Sequence, residues 1–284
     1  MEVEQYDRVE ELPCGSLIQH GPLNDRIYLM RPGEHCSSEL PYKLISMAEA
    51  RCYTKIFAKV PSHMAGAFIE AGFVVEARIP GFYNGTFTGV FLAYCLTEDR
   101  ACESCIQKYE NNILLALDKK DEGASPLDSD RFSLRPCSGN DIDQMVEIYK
   151  TVFPSYPFPI HDPEYIYETM QSHVDYFCVE SEDAIVALSS IEMDARSSNV
   201  EMTDFATLPE WRGHGFGVHL LSEMETEVRK RNIDTSYTIA RAASPGMNIT
   251  FSRLGYAYAG RLKNNTNISG DIESMNVWYK PIED

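Results

Sequence analysis

Three glycines within five residues, at 213, 215 and 217 of "LPEWRGHGFGVHLL" (208–221), separate a strand-like run from a helix-like one. Glycine lowers helix propensity and is entropically costly to order, so a cluster at a helix start needs a reason. The order strand, Arg-x-x-Gly-x-Gly, helix constrains this region to an α/β unit whose helix begins with an open N-terminus. Successive backbone N–H groups point outward there and the helix dipole adds positive potential, a recipe for holding a pyrophosphate. Gly213, Gly215 and Gly217 give a ligand room to approach, and Arg212 can add charge-assisted hydrogen bonds. The spelling argues against two other phosphate binders. A Walker A loop needs Gly-Lys-Ser/Thr, which is absent. A dinucleotide fold needs Gly-x-Gly-x-x-Gly and an acid about twenty residues on, where only Asp234 stands, in a polar loop.

The surrounding pattern predicts a mixed α/β sheet. "RFSLRPC" reads as a strand and "GNDIDQMVEIYKTVF" as a helix, with Asn140 or Asp141 as N-cap. A proline-rich loop and a short helix follow, then the strands "DYFCVES", "AIVALSSIEMD" and "NVEMTDFATL". Their connections are short enough for antiparallel neighbours. After the glycines, Val218, Leu221, Met224 and Val228 form the apolar stripe of a helix. A strand "TSYTIA", a helix "GMNITFSRLG" and a hairpin-like end complete this part.

Upstream, "KKDEGASPLDSD" (119–130) reads as a linker after a helix at 103–118 whose Ile106, Ile113, Leu114 and Leu117 group on one side. The expected division is residues 1–128 and 129–284. The first part contains a repeat: "FIEAGFVVEARI" (68–79) lies without gaps on "FSRLGYAYAGRL" (251–262). The preceding "TKIFAKVP" and "TIARAASP" are both strand-like. A duplicated α/β unit follows, with the glycine loop, and hence any cofactor, only in the second copy.

Composition restricts the partners. A net charge of −18 repels nucleic acid and anionic membranes as general partners. No apolar run reaches the ~20 residues of a membrane span, and the acidic start lacks a signal-peptide core, so a cytoplasmic protein is expected. Eight cysteines show no framework spacing, "CESC" (102–105) has no second metal-binding pair, and His161, His173 and His219 show no metal spacing. Reduced thiols and no metal are expected.

The segment "VEMTDFATLPEWRGHGFGVHLL" (200–221) resembles the acetyl-CoA-binding motif of the GNAT N-acetyltransferase superfamily. Arg212, Gly215 and Gly217 occupy its Arg/Gln-x-x-Gly-x-Gly/Ala positions, and "MNITFSRLGY" (247–256) resembles the next motif. The resemblance implies the GNAT fold, a mixed, mostly antiparallel sheet, preceded here by a smaller degenerate acetyltransferase-like domain. It implies acetyl-CoA as co-substrate, held by Phe205, Ala206 and Thr207 on a splayed strand, by Arg212, Gly213, His214, Gly215, Phe216, Gly217 and Val218, and by Asn248 and Phe251. "FPSYPFPIHDPEYI", "LKNNTNISGDIESMNVWYK" and "IPGFYNG" are similar to the β-lysine N-acetyltransferases, which acetylate the terminal amine of β-lysine to make a compatible solute.

Acetyl transfer to an alkylamine whose ammonium pKa is about 10.4 needs a base, oxyanion donors and a proton for the departing thiolate. Glu201, five residues before Ala206, matches the place of a catalytic Glu in one branch of the superfamily, and Asp204 is the alternative. Oxyanion donors are expected near Phe205 or Ala206. Phe251 stands where many relatives carry a tyrosine acid, which leaves Tyr237, Tyr258 or no protein acid. For the acceptor, Asp204, Glu273 and the asparagines 264, 265 and 267 are candidates for the second ammonium and for orientation. Arg241 or Arg196 is expected at the carboxylate, and Asn84 in a closing loop with Phe82 and Tyr83. Rival readings are another small amine as acceptor, or a non-catalytic acetyl-CoA sensor. The oligomeric state stays open, a homodimer included.

Overall fold

The computed structural model of the protein describes residues 6–282. In chain order its elements are β1 (Arg8–Glu11), β2 (Leu17–Gly21), β3 (Arg26–Arg31), α1 (Leu40–Ala50), β4 (Lys55–Pro61), α2 (Ala65–Glu70), β5 (Val74–Tyr83) and β6 (Phe87–Cys95). The short α3 (Glu98–Ala101) and then α4 (Ile106–Asp118) lead to β7 (Ser133–Pro136), α5 (Ile142–Val152), α6 (Pro163–Met170), β8 (Val174–Ser181), β9 (Ala184–Asp194) and β10 (Asn199–Thr207). The chain ends with α7 (Phe216–Lys230), β11 (Thr235–Arg241), α8 (Pro245–Arg253), β12 (Ala257–Ile268) and β13 (Asp271–Pro281). All 13 strands form one sheet, ordered β1-β2-β3-β4-β6-β5-β12-β13-β11-β10-β9-β8-β7. Among the described residues, only β3–β4 and β10–β11 pair in parallel. The expected mixed, mostly antiparallel sheet is therefore present, and it is not interrupted between the two halves of the chain.

The repeat governs that continuity. Residues Ala77 and Gly260, corresponding positions of the two matched segments, pair with each other where β5 meets β12. The ladders on either side shift register at corresponding places, between Val75 and Ala77 and between Tyr258 and Gly260. A local two-fold thus relates the two strand–helix–hairpin units. The upstream match is displaced: Lys55 opposite Cys95 and Thr235 opposite Pro281 hold equivalent places, and residues 242–244 are extra in the second unit.

Local sequence explains two helix starts directly. Asp162 caps α6 ahead of Pro163, and Ser244 caps α8 ahead of Pro245. At α5 the N-cap is Asp141, one of the two expected residues, but its side chain does not cap the helix directly. Ser138 and Asp141 form a capping box around the short turn before the helix, and Arg135 bonds both oxygens of Asp141 at 2.8 and 2.9 Å. The Glu182–Asp183 turn between β8 and β9 has φ of 50° and 65°, as a tight hairpin requires.

Three cores hold the sheet. One lies under α1 and α2, and a second under α4, α7 and α8. The third is shared: Tyr28, Phe57, Phe82 and Phe91 of the first half pack with α5, α6, Tyr237 and Met275 of the second. The expected stripe on α4 is corrected here. Ile106, Leu114 and Leu117 are exposed, whereas Tyr109, Asn112, Ile113 and Ala116 are buried. Their spacing of three and four residues makes the face that meets α8, and Asn112 bonds the Ala242 carbonyl at 2.8 Å. Nor is 119–130 free of contacts, since Asp121 and Gly123 N–H bond the carbonyls of Ser252 and Arg253 at 3.2 and 2.9 Å. The cysteines are free thiols, and no described helix is long and apolar enough to cross a membrane.

Candidate active site

The glycine segment enters α7 through backbone geometry that only glycine adopts cheaply. Gly213 and Gly215 have φ of +91° and +76°, and a Cβ on either would meet nothing within 4 Å. Gly217 serves a different purpose. Its Cβ would stand 3.3 Å from Thr250 Oγ1, so it sets the approach of α7 to α8 and not ligand clearance. Among the described residues, no N–H from 213 to 217 donates to a protein acceptor. Val218 is corrected: its N–H already bonds the Gly215 carbonyl at 3.0 Å, and its side chain is buried. Phe216 is buried as well, leaving only its backbone outward. Arg212 is exposed and reaches the Thr207 carbonyl at 3.4 Å. The His214 ring stacks on Phe216 and sits 3.0 Å from the Trp211 carbonyl. Five unused donors at the positive end of a helix of 15 residues fit the pyrophosphate of a coenzyme A.

Beside this loop the sheet opens. β10 pairs with β11 only from Asn199 to Glu201. On its other edge the ladder to β9 shifts between Thr203 and Ala206, which leaves Asp204 and Phe205 outside it. Asp204 takes φ of +55° at this bulge, a conformation Asp tolerates better than most residues. Its carboxylate is fixed by the Tyr156 hydroxyl and by Ser190 Oγ at 2.5 Å. Ala206 and Thr207 stay paired to β9; since the Leu208 N–H bonds the Val186 carbonyl at 3.1 Å, strand alternation turns the Ala206 backbone to β9 and the Thr207 backbone to the gap.

The gap leads into a cleft of about 160 Å³, set within the shared core and lined by both halves. Glu201, Thr203, Asp204 and Phe205 line it from β10, and Glu192 from β9. Arg26, Tyr28 and Met30 on alternate positions of β3, with Phe57 and Lys59 on β4, line it from the first half. The Tyr237 hydroxyl donates to Glu201 Oε2 at 2.9 Å and accepts from Lys59 Nζ at 3.1 Å. Burial pushes the Glu201 carboxyl up to about 7, against the pull of the Lys59 ammonium, with the Glu192 charge adding to the rise. Burial also raises Asp204, opposed by its bonds to Ser190 and Tyr156. Burial works against the Lys59 charge as well, yet Tyr237, Tyr28 and Glu201 outweigh it and hold its proton firmly. A carboxyl that titrates near neutrality beside a splayed strand is equipped to accept a proton from a bound amine.

Several expected site residues are committed elsewhere. Asn248 is fully buried, bonds the carbonyls of Arg241 and Ser244, and accepts from Asn276 and Trp278 at 2.8 and 2.9 Å. It ties α8 to β11 and β13. Phe251 is packed between Phe205 and Tyr256 in the core, without a surface for a cofactor. Glu273 is locked in a two-bond pair with Arg241, at 2.9 and 2.5 Å, so neither charge is free. Arg196 is exposed, off the cleft. Asn84 occupies a turn at φ of 52°, and its N–H bonds the Ser197 carbonyl at 2.7 Å. With Phe82 buried against Tyr237, this loop fastens the two halves together and does not close over the cleft. Asn264 ties down α3 through the Asp99 and Cys102 carbonyls, and Asn267 bonds Ser155. Asn265 does line the cleft. Tyr258 does not; it packs on Trp278. Sequence reasoning missed Arg26, Tyr28, Lys59 and Tyr156. The alternation on β3 was a signal for the first two, and Tyr156 lies within the "FPSYPFPIHDPEYI" segment. Among the described residues no His, Cys, Asp or Glu group is arranged to hold a metal.

The acetyltransferase (GNAT) family matches residues 142–256, from α5 through the glycine loop to the end of the α8 turn. Beta-lysine N(6)-acetyltransferase of Methanococcus maripaludis is 38% identical over 267 residues, covering 93% of this chain and 96% of that protein. Beta-lysine N(6)-acetyltransferase of Methanosarcina mazei is 34% identical and covers 85% and 96%. N-acetyltransferase YodP of Bacillus subtilis is 30% identical and covers 94% and 96%. The resemblance therefore extends well beyond the glycine loop and includes the strands of the first half that line the cleft. The chain belongs to the GNAT acetyltransferase family, as an acetyl-CoA-dependent N-acetyltransferase that groups with the beta-lysine N(6)-acetyltransferases.

Proposed function

We propose that this enzyme transfers the acetyl group of acetyl-CoA to the terminal amine of beta-lysine, giving N-epsilon-acetyl-beta-lysine, with Glu201 as general base. The carrying observation is Glu201 itself. It stands where β10 parts from β11, has its pKa near neutrality, and is steadied by Tyr237 and Lys59. Acetyl-CoA supplies the activated acetyl group, and the open N–H groups of 213–217 with Arg212 are suited to hold its pyrophosphate. Glu201 takes the proton of the bound ammonium. The freed amine attacks the thioester carbonyl while the Phe205 backbone N–H stabilises the charge developing on its oxygen. Collapse breaks the C–S bond, and the coenzyme A thiolate leaves with the second proton shed by the nitrogen. Asp204 is better suited to pinning the bulge, because Tyr156 and Ser190 already occupy its oxygens. Residues 1–128 act as a cofactor-free, degenerate unit that completes the acceptor cleft, and residues 129–284 carry the chemistry. An acetylated zwitterion made from a small amine suits a cytoplasmic compatible solute.

The test is release of free CoA with beta-lysine, alpha-lysine and spermidine as acceptors. Turnover with beta-lysine well above the other two is expected. Turnover confined to another amine overturns the acceptor, and binding of acetyl-CoA without turnover on any amine favours a sensor.

A further inference from the structure

Arg26, at the start of β3, is only 4% exposed and its side chain lines the cleft. Its Nη1 donates to the Asn265 carbonyl and, at 3.1 Å, to the Thr266 hydroxyl, while Nε has no acceptor. Among the described residues no carboxylate lies within ion-pair reach of it. Asp7 contributes to the field at Arg26, but its oxygens are bonded to Leu23 N–H at 3.0 Å and Asn24 Nδ2 at 2.6 Å. The other cations around the cleft are engaged. Arg241 is paired with Glu273, and Lys59 is bonded to Tyr237 in the Glu201 relay. Next to Arg26, Asn265 is 1% exposed and lines the same cleft, and its Oδ1 has no partner. A buried guanidinium without a counter-ion and a buried acceptor without a donor are both costly unless a ligand satisfies them.

The geometry points to Arg26 and Asn265 as the site for the zwitterionic head of the acceptor. Arg26 receives its carboxylate and Asn265 Oδ1 the neighbouring ammonium, with the terminal amine left toward Glu201. This assignment rests on reading the cleft as the acceptor site. It makes the first half of the chain, which supplies Arg26, the part that selects amino-acid acceptors over simple polyamines. Beta-lysine carries its carboxylate and second amine close together at the end remote from the reacting nitrogen, one charge for each of these neighbouring residues.

The experiment compares beta-lysine with pentane-1,4-diamine, the same skeleton without the carboxylate, in the wild type, Arg26→Met and Arg26→Lys. The wild type should prefer beta-lysine. In Arg26→Met, kcat/KM for beta-lysine should fall roughly 100-fold, the cost range for removing one partner of a buried charge pair, while the diamine changes little. Arg26→Lys, which keeps the charge and loses the planar fork, should fall in between. Unchanged acetyl-CoA affinity in each variant, read by calorimetry, shows that the protein is folded. Retained preference for beta-lysine in a folded Arg26→Met overturns the assignment and leaves the beta-lysine reading intact. A wild type that rejects beta-lysine but takes another carboxylate-bearing amine in an Arg26-dependent way supports the assignment and overturns beta-lysine. A wild type indifferent to the carboxylate overturns the assignment.

Discussion

Glu201 is raised by its surroundings and Lys59 restrains that rise, so the two residues set the pH response in opposite senses. As the proposed base, Glu201 must be deprotonated to work, and activity should fall as pH drops through about 7. Replacing it with Gln should lower kcat at neutral pH by about 100-fold or more, the usual contribution of a positioned base. Partial recovery at high pH is expected, as the amine loses its proton to solvent. In Lys59→Met the ammonium that favours the Glu201 carboxylate is gone. The acidic limb of kcat/KM should then move to higher pH than in the wild type, with little change in acetyl-CoA KM. An unmoved limb means that the charge on the first half does not reach the base. Sequence spacing placed Glu201 at its station before Ala206. It did not point to Lys59, because a lysine between apolar neighbours on a strand reads as an outward solubilising residue until the opposite wall is known.

At the scale of elements, the start of α7 and the bulge of β10 make the proposed donor side. Gly215→Val forces a β-branched residue into φ of +76° and projects a side chain into the open space of the loop. The acetyl-CoA KM should rise at least tenfold in steady-state kinetics. Gly217→Ala should leave that KM within about twofold and lower Tm instead, since the new methyl presses on Thr250. The glycine cluster was the most legible feature of the chain, yet its members do two different jobs. Spelling carries no φ values and no neighbours, so the packing role of Gly217 was merged with clearance. Asn248 was misread for a related reason: its side chain is turned inward by Asn276 and Trp278, which arrive from a strand about 30 residues later. The α4 stripe failed because the apolar side of that helix is not the side that α8 covers.

For the whole molecule, the β5–β12 ladder that makes the two halves one sheet is narrow and strict. A Cβ at Gly260 would stand 2.1 Å from the Glu76 carbonyl and 2.8 Å from Ala77 Cα. Gly260→Val should therefore part β5 from β12, raise hydrogen exchange along both strands, and reduce acetylation more than acetyl-CoA binding. The repeat was visible in sequence, but the way its copies meet was not. Pairing between Ala77 and Gly260 leaves no periodic trace, and the polar stretch at 119–130 suggested separation where the chain is in fact bonded down.

That joint also bears on how the chain folds. Ala77 and Gly260 are far apart along the backbone, so their meeting carries a large loop-closure cost and belongs late in folding, after each half has gathered its own local contacts. The first half leaves the ribosome with Tyr28, Phe57 and Phe91 still uncovered, a sticky apolar face with its partner unmade. If the proposed acceptor cleft forms with that joint, a newly made chain should hold coenzyme A before it can recognise an amine, an order that time-resolved binding of each ligand during refolding would test.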